Sequence, residues 1–223
     1  MTERRSWQSE ADRLGKADPD DPTAWFERLW ASAAGGDVTT PWDHDDPHPV
    51  LAAWTAAHAS EDRRPAADRT AVVVGCGLGA DAEHLARLGY DTTAFDVSPS
   101  AVAAARERHP DSRVRYAVGN LLDLPTGWVG AFDLVVEVYT VQAVSRDVRP
   151  AMTAGVRTLV APAGTLLVVQ LGTEQVADDG PPWPLTRAEV EAFGQDGLSP
   201  LAVDALPGPP GRPWTWRAEL RRG

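Results

Sequence analysis

Apolar positions along this chain fall into short runs punctuated by glycine and proline, and their spacing alternates between that of strands and that of helices. The run Ala71-Val72-Val73-Val74 is short, β-branched and closed by glycines, the pattern of a strand buried on both faces. After the turn Gly75-Cys76-Gly77-Leu78-Gly79 a helix is expected from Ala80 or Asp81, with Ala82, Leu85, Ala86 and Leu88 on one side and Gly89 as its stop. A second strand, from about Asp91 to Phe95, then delivers Asp96 at its carboxyl end. Ser98 and Pro99 suit the N-cap and first turn of a helix reaching about Arg108. Further strands are expected over Val114 to Val118, Phe132 to Val138 and Gly164 to Leu171, with a helix over Arg146 to Val160. Thr186-x-x-Glu189 reads as a capping box. Two terminal strands follow, Leu198 to Leu206 and Pro213 to Arg221, parted by a proline-glycine turn.

Upstream of this α/β pattern, residues 1–22 are polar and read as a mobile arm. Residues 23–69 read as a helical cover: Trp25, Phe26, Leu29 and Trp30 recur at helix spacing, and a second apolar helix is expected from Val50 to about Ala59. Residues 70–223 then form the α/β domain.

The glycine turn allows a backbone to approach a ligand where a side chain would collide, and the following helix start offers free N–H groups to a carboxylate or phosphate. Asp96 stands where it can accept hydrogen bonds from two ribose hydroxyls. A nucleoside cofactor is implied. Gly75-x-Gly77-x-x-Ala80 satisfies the relaxed dinucleotide fingerprint, while Gly75-x-Gly77-x-Gly79 equally resembles the first motif of class I S-adenosylmethionine (SAM) methyltransferases.

Composition narrows the choice. A chain of 223 residues accommodates one α/β domain with a cover and hardly a separate substrate domain. Twenty arginines accompany one lysine, Lys16, so a Schiff-base lysine is implausible; the Tyr-x-x-x-Lys pair of short-chain dehydrogenases is missing, Tyr139 being followed four places on by Ala143. A net charge of −11 disfavours a nucleic-acid partner. The single Cys76 excludes an internal disulfide or a cysteine metal site, and no metal is expected. No apolar run reaches the roughly 20 residues of a membrane helix. The amino terminus has no apolar signal-peptide core, so the expected compartment is the cytoplasm.

Trp25 and Trp30, the loop around Thr40, Trp42 and Asp43, and the nearby Pro47-His48-Pro49 resemble the amino-terminal cover of the thiopurine and thiol methyltransferase group. The resemblance continues through Gly75 to Asp81 and the segment from Phe95 to Val102. It implies a Rossmann-like class I methyltransferase fold: a mostly parallel seven-stranded sheet closed by an antiparallel carboxy-terminal hairpin, with a helical lid over the cofactor. Implied cofactor contacts are Trp25, Trp30 and Trp42 of the lid, Gly75, Cys76, Gly77, Gly79 and Asp81 of the first turn, and Asp96 with Val97. Asn120, Leu121 and Leu122 would lie beside the adenine, with Asn where the family usually has Asp.

Because open α/β sheets bind ligands beyond the carboxyl ends of their strands, Glu137 and Tyr139, with Thr140 and Gln142, are expected to border the reacting methyl group, Glu137 in contact with the cofactor. His48 and His44 are further candidate bases. Aromatic faces in the lid would stabilise a sulfonium. The expected reaction is methyl transfer to a small molecule, large and apolar if the tryptophan-lined cover is broad, and at sulfur by the resemblance. Gly180-Pro181-Pro182-Trp183-Pro184 is expected to line the acceptor pocket. Methylation of a small molecule at oxygen or nitrogen is the alternative, and after it an NAD-dependent oxidoreductase. Oligomeric state is not written in the sequence.

Overall fold

The computed structural model describes residues 10, 14, 21–36, 38, 40, 42–58, 65–176, 180–208 and 213–223. Most of the expected arm, and Thr39 and Pro41 of the cover loop, lie outside the described residues. Two amino-terminal helices, α1 (Ala24–Ala34) and α2 (Pro49–His58), precede the sheet. The sheet elements are β1 (Thr70–Val74), β2 (Asp91–Asp96), β3 (Arg115–Val118), β4 (Phe132–Val138), β5 (Val160–Leu171), β6 (Leu198–Leu206) and β7 (Thr215–Arg222). Between them run α3 (Ala80–Arg87), α4 (Pro99–Arg108), α5 (Arg149–Thr158) and the short α6 (Arg187–Glu191).

Strand order is β3-β2-β1-β4-β5-β7-β6. β1 to β5 pair in parallel, and β7 runs antiparallel to both β5 and β6. Alternation along β1 divides the core between the two faces of the sheet. Val72 and Val74 pack with Met152, Val156 and Leu159 beneath α5, whereas Ala71 and Val73 pack with Leu85, Val102 and Trp54 beneath α3, α4 and α2.

Local chemistry accounts for the element ends. Ser98 caps α4 by accepting Ala101 N at 3.0 Å, and Thr186 with Glu189 forms the expected capping box. Gly89 adopts φ 102° beyond α3. Two starts differ from the sequence reading by three residues or more. α5 starts at Arg149 rather than Arg146, because Pro150 in its first turn pre-sets the helical φ there. β5 begins at Val160 rather than Gly164, since Phe132 already pairs with Val160 before the register shifts.

Candidate functional site

The strand order reverses between β1 and β4, and a cavity of about 250 Å³ opens beyond the carboxyl ends of β1, β2, β3 and β4 at that switch point. Each strand end contributes to its wall: Gly75 to Asp81 after β1, Asp96 and Val97 after β2, Asn120 and Leu121 after β3, Tyr139 and Thr140 after β4. Thr23, Phe26 and Trp30 of the α1 segment, with Trp42, His44 and His48 of the loop before α2, complete it.

Gly75, Gly77 and Gly79 have φ of 61°, 50° and 92°, a region that side chains rarely enter. A Cβ at Gly75 would run into the Thr140 side chain, and one at Gly79 into the Tyr116 hydroxyl. The turn is fastened to β2 twice. Cys76 N donates to Phe95 O at 2.9 Å, and Gly77 N to Asp96 Oδ2 at 3.0 Å. Asp96 Oδ1 accepts Ser98 N at 3.0 Å, and the carboxylate as a whole retains acceptor capacity for a ligand. Burial lifts Asp96 above the ordinary carboxylate range, against the pull of these backbone donors. Burial, with the Asp96 charge, pushes the Cys76 thiol well up, which makes it a packed wall residue with no nucleophilic character.

Trp30 is 6 % exposed and packs on Leu78 and Ala101, directly above Gly77, with Trp42 at a ring-centroid distance of 5.8 Å. Trp25, expected to share this role, does not line the cavity. Five positions before Trp30 on the helix, it faces Leu29, Val38 and Ala143 instead. Glu27, which sequence reasoning passed over as one surface charge among many, reaches from α1 to the start of α4 and accepts Ser98 Oγ and Ser100 N on Oε2. Three hydrogen bonds from Ser98 and Ser100 overcome the opposing effect of burial and hold its carboxyl below the usual range.

At the end of β4 the expected roles divide. Glu137 is 0 % exposed and absent from the cavity wall. Its Oε1 accepts Thr140 N at 2.8 Å and Val141 N at 2.9 Å, and its Oε2 accepts Gln170 Nε2. The placement of Glu137 beside cofactor and methyl group is therefore corrected: it ties down the turn that carries Tyr139 and Thr140. Gln142 is buried too, its Oε1 accepting Leu171 N at 2.7 Å. Tyr139, at φ 59°, does line the cavity.

His48 holds three elements together. Its backbone N donates to Asp81 Oδ1 at 2.7 Å, its Nδ1 accepts Val50 N at 3.2 Å, and its Nε2 lies 3.1 Å from the Tyr139 hydroxyl. Burial, reinforced by His44, lowers its pKa to about 4, so the ring is neutral near pH 7. With Nδ1 accepting from Val50, the proton resides on Nε2 and is donated to Tyr139. His48 in this tautomer positions Tyr139 and has no lone pair to offer as a base, which corrects its expected role. Burial raises Asp81 above its usual range.

Asn120 lines the cavity, and its Oδ1 accepts Leu122 N at 2.9 Å, closing its own turn. Leu122 is 42 % exposed and absent from the cavity wall, a further corrected contact: Leu121, one residue earlier, lines it. Trp183 is also off the wall; its N donates to Gln142 O and its O accepts Arg149 Nη2, so the proline-rich segment packs behind the site. Phe26, Leu78, Phe95 and Met152 line the cavity without having been singled out, since buried apolar residues carry no signature beyond that of core. Among the described residues no group of three or more His, Cys, Asp or Glu could hold a metal ion, and no helix is long and apolar enough to cross a membrane.

Residues 71–164 match the model of a family described as a methyltransferase domain. A ubiquinone biosynthesis O-methyltransferase of Xanthomonas axonopodis pv. citri (strain 306) is 33 % identical over 144 residues, 61 % of this chain and 58 % of that relative. The chain thus spans under two thirds of the length of the curated relatives it matches. Among solved structures, the 1,6-didemethyltoxoflavin N1-methyltransferase of Burkholderia thailandensis superposes with a TM-score of 0.66 at 19 % identity, over 93 % of this chain and 92 % of that one. A structure solved for the conversion of a disulfide bond into a thioacetal group during echinomycin biosynthesis gives 0.68 at 22 % identity, over 88 % and 93 %. The strand order and the cavity at the switch point agree with the family match: residues 71–164 are similar to a methyltransferase domain, and the chain has the Rossmann-like class I methyltransferase architecture.

Proposed function

We propose that this chain is a cytoplasmic SAM-dependent methyltransferase that methylates a small, largely apolar molecule, at sulfur in the first instance. The observation that carries the reading is the convergence of the glycine turn, Asp96 and Trp30 on one cavity at the switch point of the sheet. The residues present fit such a cofactor. The turn is a cradle that a side chain at Gly75 or Gly79 would fill, and Asp96 keeps acceptor capacity at the cavity wall. When bound, SAM supplies a methyl group on a cationic sulfur, which is already a good leaving group.

The chain then has to bind, orient and exclude water. Asp96 would take the ribose hydroxyls, and Asn120 with Leu121 would border the base. Trp30 and Trp42 present aromatic faces to a cation. The helical segment before the sheet would act as the lid.

What supports sulfur is how the titratable groups of the wall are used. Of the imidazoles and carboxylates that line the cavity, three are already engaged, His48 by Val50 and Tyr139, Asp81 by His48 N, and Asp96 by Gly77 and Ser98, which leaves His44, its Nδ1 donating to Asp46 O at 2.7 Å, as the remaining candidate base. Such a site suits a nucleophile that ionises unaided, and a thiol with a pKa of about 8.5 does so. A second reading, methylation of a phenolic oxygen, is favoured by the O-methyltransferase relative. Incubation with SAM and matched aryl thiol and phenol acceptors, with mass spectrometry of the demethylated cofactor, separates them. At least tenfold faster turnover of the thiol supports sulfur, and the reverse order supports oxygen. Uptake of nicotinamide dinucleotide without uptake of SAM overturns the methyltransferase reading.

A further inference from the structure

Glu27 belongs to no motif, yet it links the two halves of the cavity wall. It lies three residues before Trp30 on α1, so both side chains share the helix face turned toward α4. On Oε2 it accepts Ser98 Oγ at 2.5 Å and Ser100 N at 3.0 Å, and on Oε1 it accepts Ser100 Oγ at 2.6 Å. Ser98 in turn gives its N–H to Asp96 Oδ1, and Asp96 Oδ2 holds Gly77 N. A continuous chain of hydrogen bonds therefore runs from α1 through the start of α4 to the carboxylate at the end of β2 and on to the glycine turn.

The chemistry of the contact is that of a catch. A carboxylate against the amino-terminal turn of α4 is favoured by the helix dipole as well as by its three donors. Ser98 already caps α4 through Ala101 N, so α4 does not depend on Glu27 to start. Were α1 to lift, the carboxylate and both serines would return to water and recover most of what they lose, so the net bias toward the position seen is modest. α1 itself forms one wall of the cavity through Thr23, Phe26 and Trp30.

We propose that Glu27 is a positioning residue that latches α1 over the cavity and sets how tightly, and for how long, the nucleoside cofactor is held; the proposal rests on the methyltransferase reading. Glu27→Gln keeps the length of the side chain and an oxygen that can accept Ser98 Oγ and Ser100 N, turns its amide nitrogen toward Ser100 Oγ, and removes the charge that strengthens all three contacts. The test uses the full chain and S-adenosylhomocysteine as probe, with affinity from calorimetry and release rate from stopped-flow tryptophan fluorescence, and with unliganded melting as a check on the fold.

For E27Q the expected result is roughly tenfold weaker affinity, carried mainly by faster release. S100A should weaken affinity a fewfold, and the double variant should be no weaker than E27Q alone, because both act on one contact. Should E27Q lose cooperative melting, S100A alone carries the test through its release rate. Wild-type affinity and release in E27Q, or losses that simply add in the double variant, overturn the latch alone. A wild-type protein that takes up no S-adenosylhomocysteine overturns both the latch and the reading beneath it.

Discussion

Two residues show how a single position shapes the site. Gly75 combines φ of 61° with a Cβ direction blocked by Thr140, so Gly75→Ala is strained twice. The left-handed backbone alone costs about 1–2 kcal/mol for an alanine, and displacing Thr140 disturbs its hydrogen bond to Val74 O. The expected outcome is a lower melting temperature together with loss of S-adenosylhomocysteine uptake in calorimetry. Glu137 has the opposite character, acting from below the surface. Burial pushes its pKa up from 4.5 to about 7, so the folded protein holds a proton that the unfolded chain releases in that interval. Its contribution to stability is therefore complete below about pH 4.5 and is lost as the pH climbs to about 7. Glu137→Gln keeps an acceptor for Thr140 N and Val141 N, and its amide can donate to Gln170 Oε1, which has no partner in the wild type. Across that window the wild-type melting temperature should fall relative to that of the variant; parallel curves would show that Glu137 does not titrate there. The sequence marked Glu137 as exceptional within an apolar strand, but whether its carboxylate met solvent, ligand or backbone depended on the turn after β4 folding back over it.

Among the elements, α1 carries the most consequence. One face, with Trp25 and Leu29, packs on Val38 and Ala143, while another places Trp30 over the glycine turn. Truncating either buried tryptophan to leucine should cost stability, on the order of 3 kcal/mol by the precedent of large core deletions. Only Trp30→Leu should also weaken S-adenosylmethionine binding, by roughly tenfold or more, as it alone removes the aromatic face that the sulfonium would meet. Equal loss of binding in Trp25→Leu would show that the two faces of α1 are wrongly divided here. Helix spacing in the sequence revealed that these aromatic residues recur on a helix. It did not reveal which side faced the cavity, because both sides are apolar and both are buried.

At the scale of the molecule, the sheet presents a cavity-bearing switch point with α1 across it, and a ligand that binds only the folded state stabilises the whole. S-adenosylhomocysteine at a hundred times its dissociation constant adds about 2.7 kcal/mol, which for a domain of this length raises the melting temperature by roughly 5–10 °C. Nicotinamide dinucleotides should leave it unchanged in the same thermal-shift measurement. The order of strands and helices, the glycine turn, Asp96 and the closing hairpin were determined by the sequence itself, since each rests on local periodicity, on a backbone angle only glycine adopts readily, or on a cap between neighbouring residues. Tertiary structure alone decided that Glu137 lies beneath the site, that His48 spends its lone pair on Val50, that Leu121 and not Leu122 lines the cavity, and that Glu27 fastens α1 to α4. Those outcomes depend on which distant groups come within hydrogen-bond or packing distance, and no local pattern records such distances.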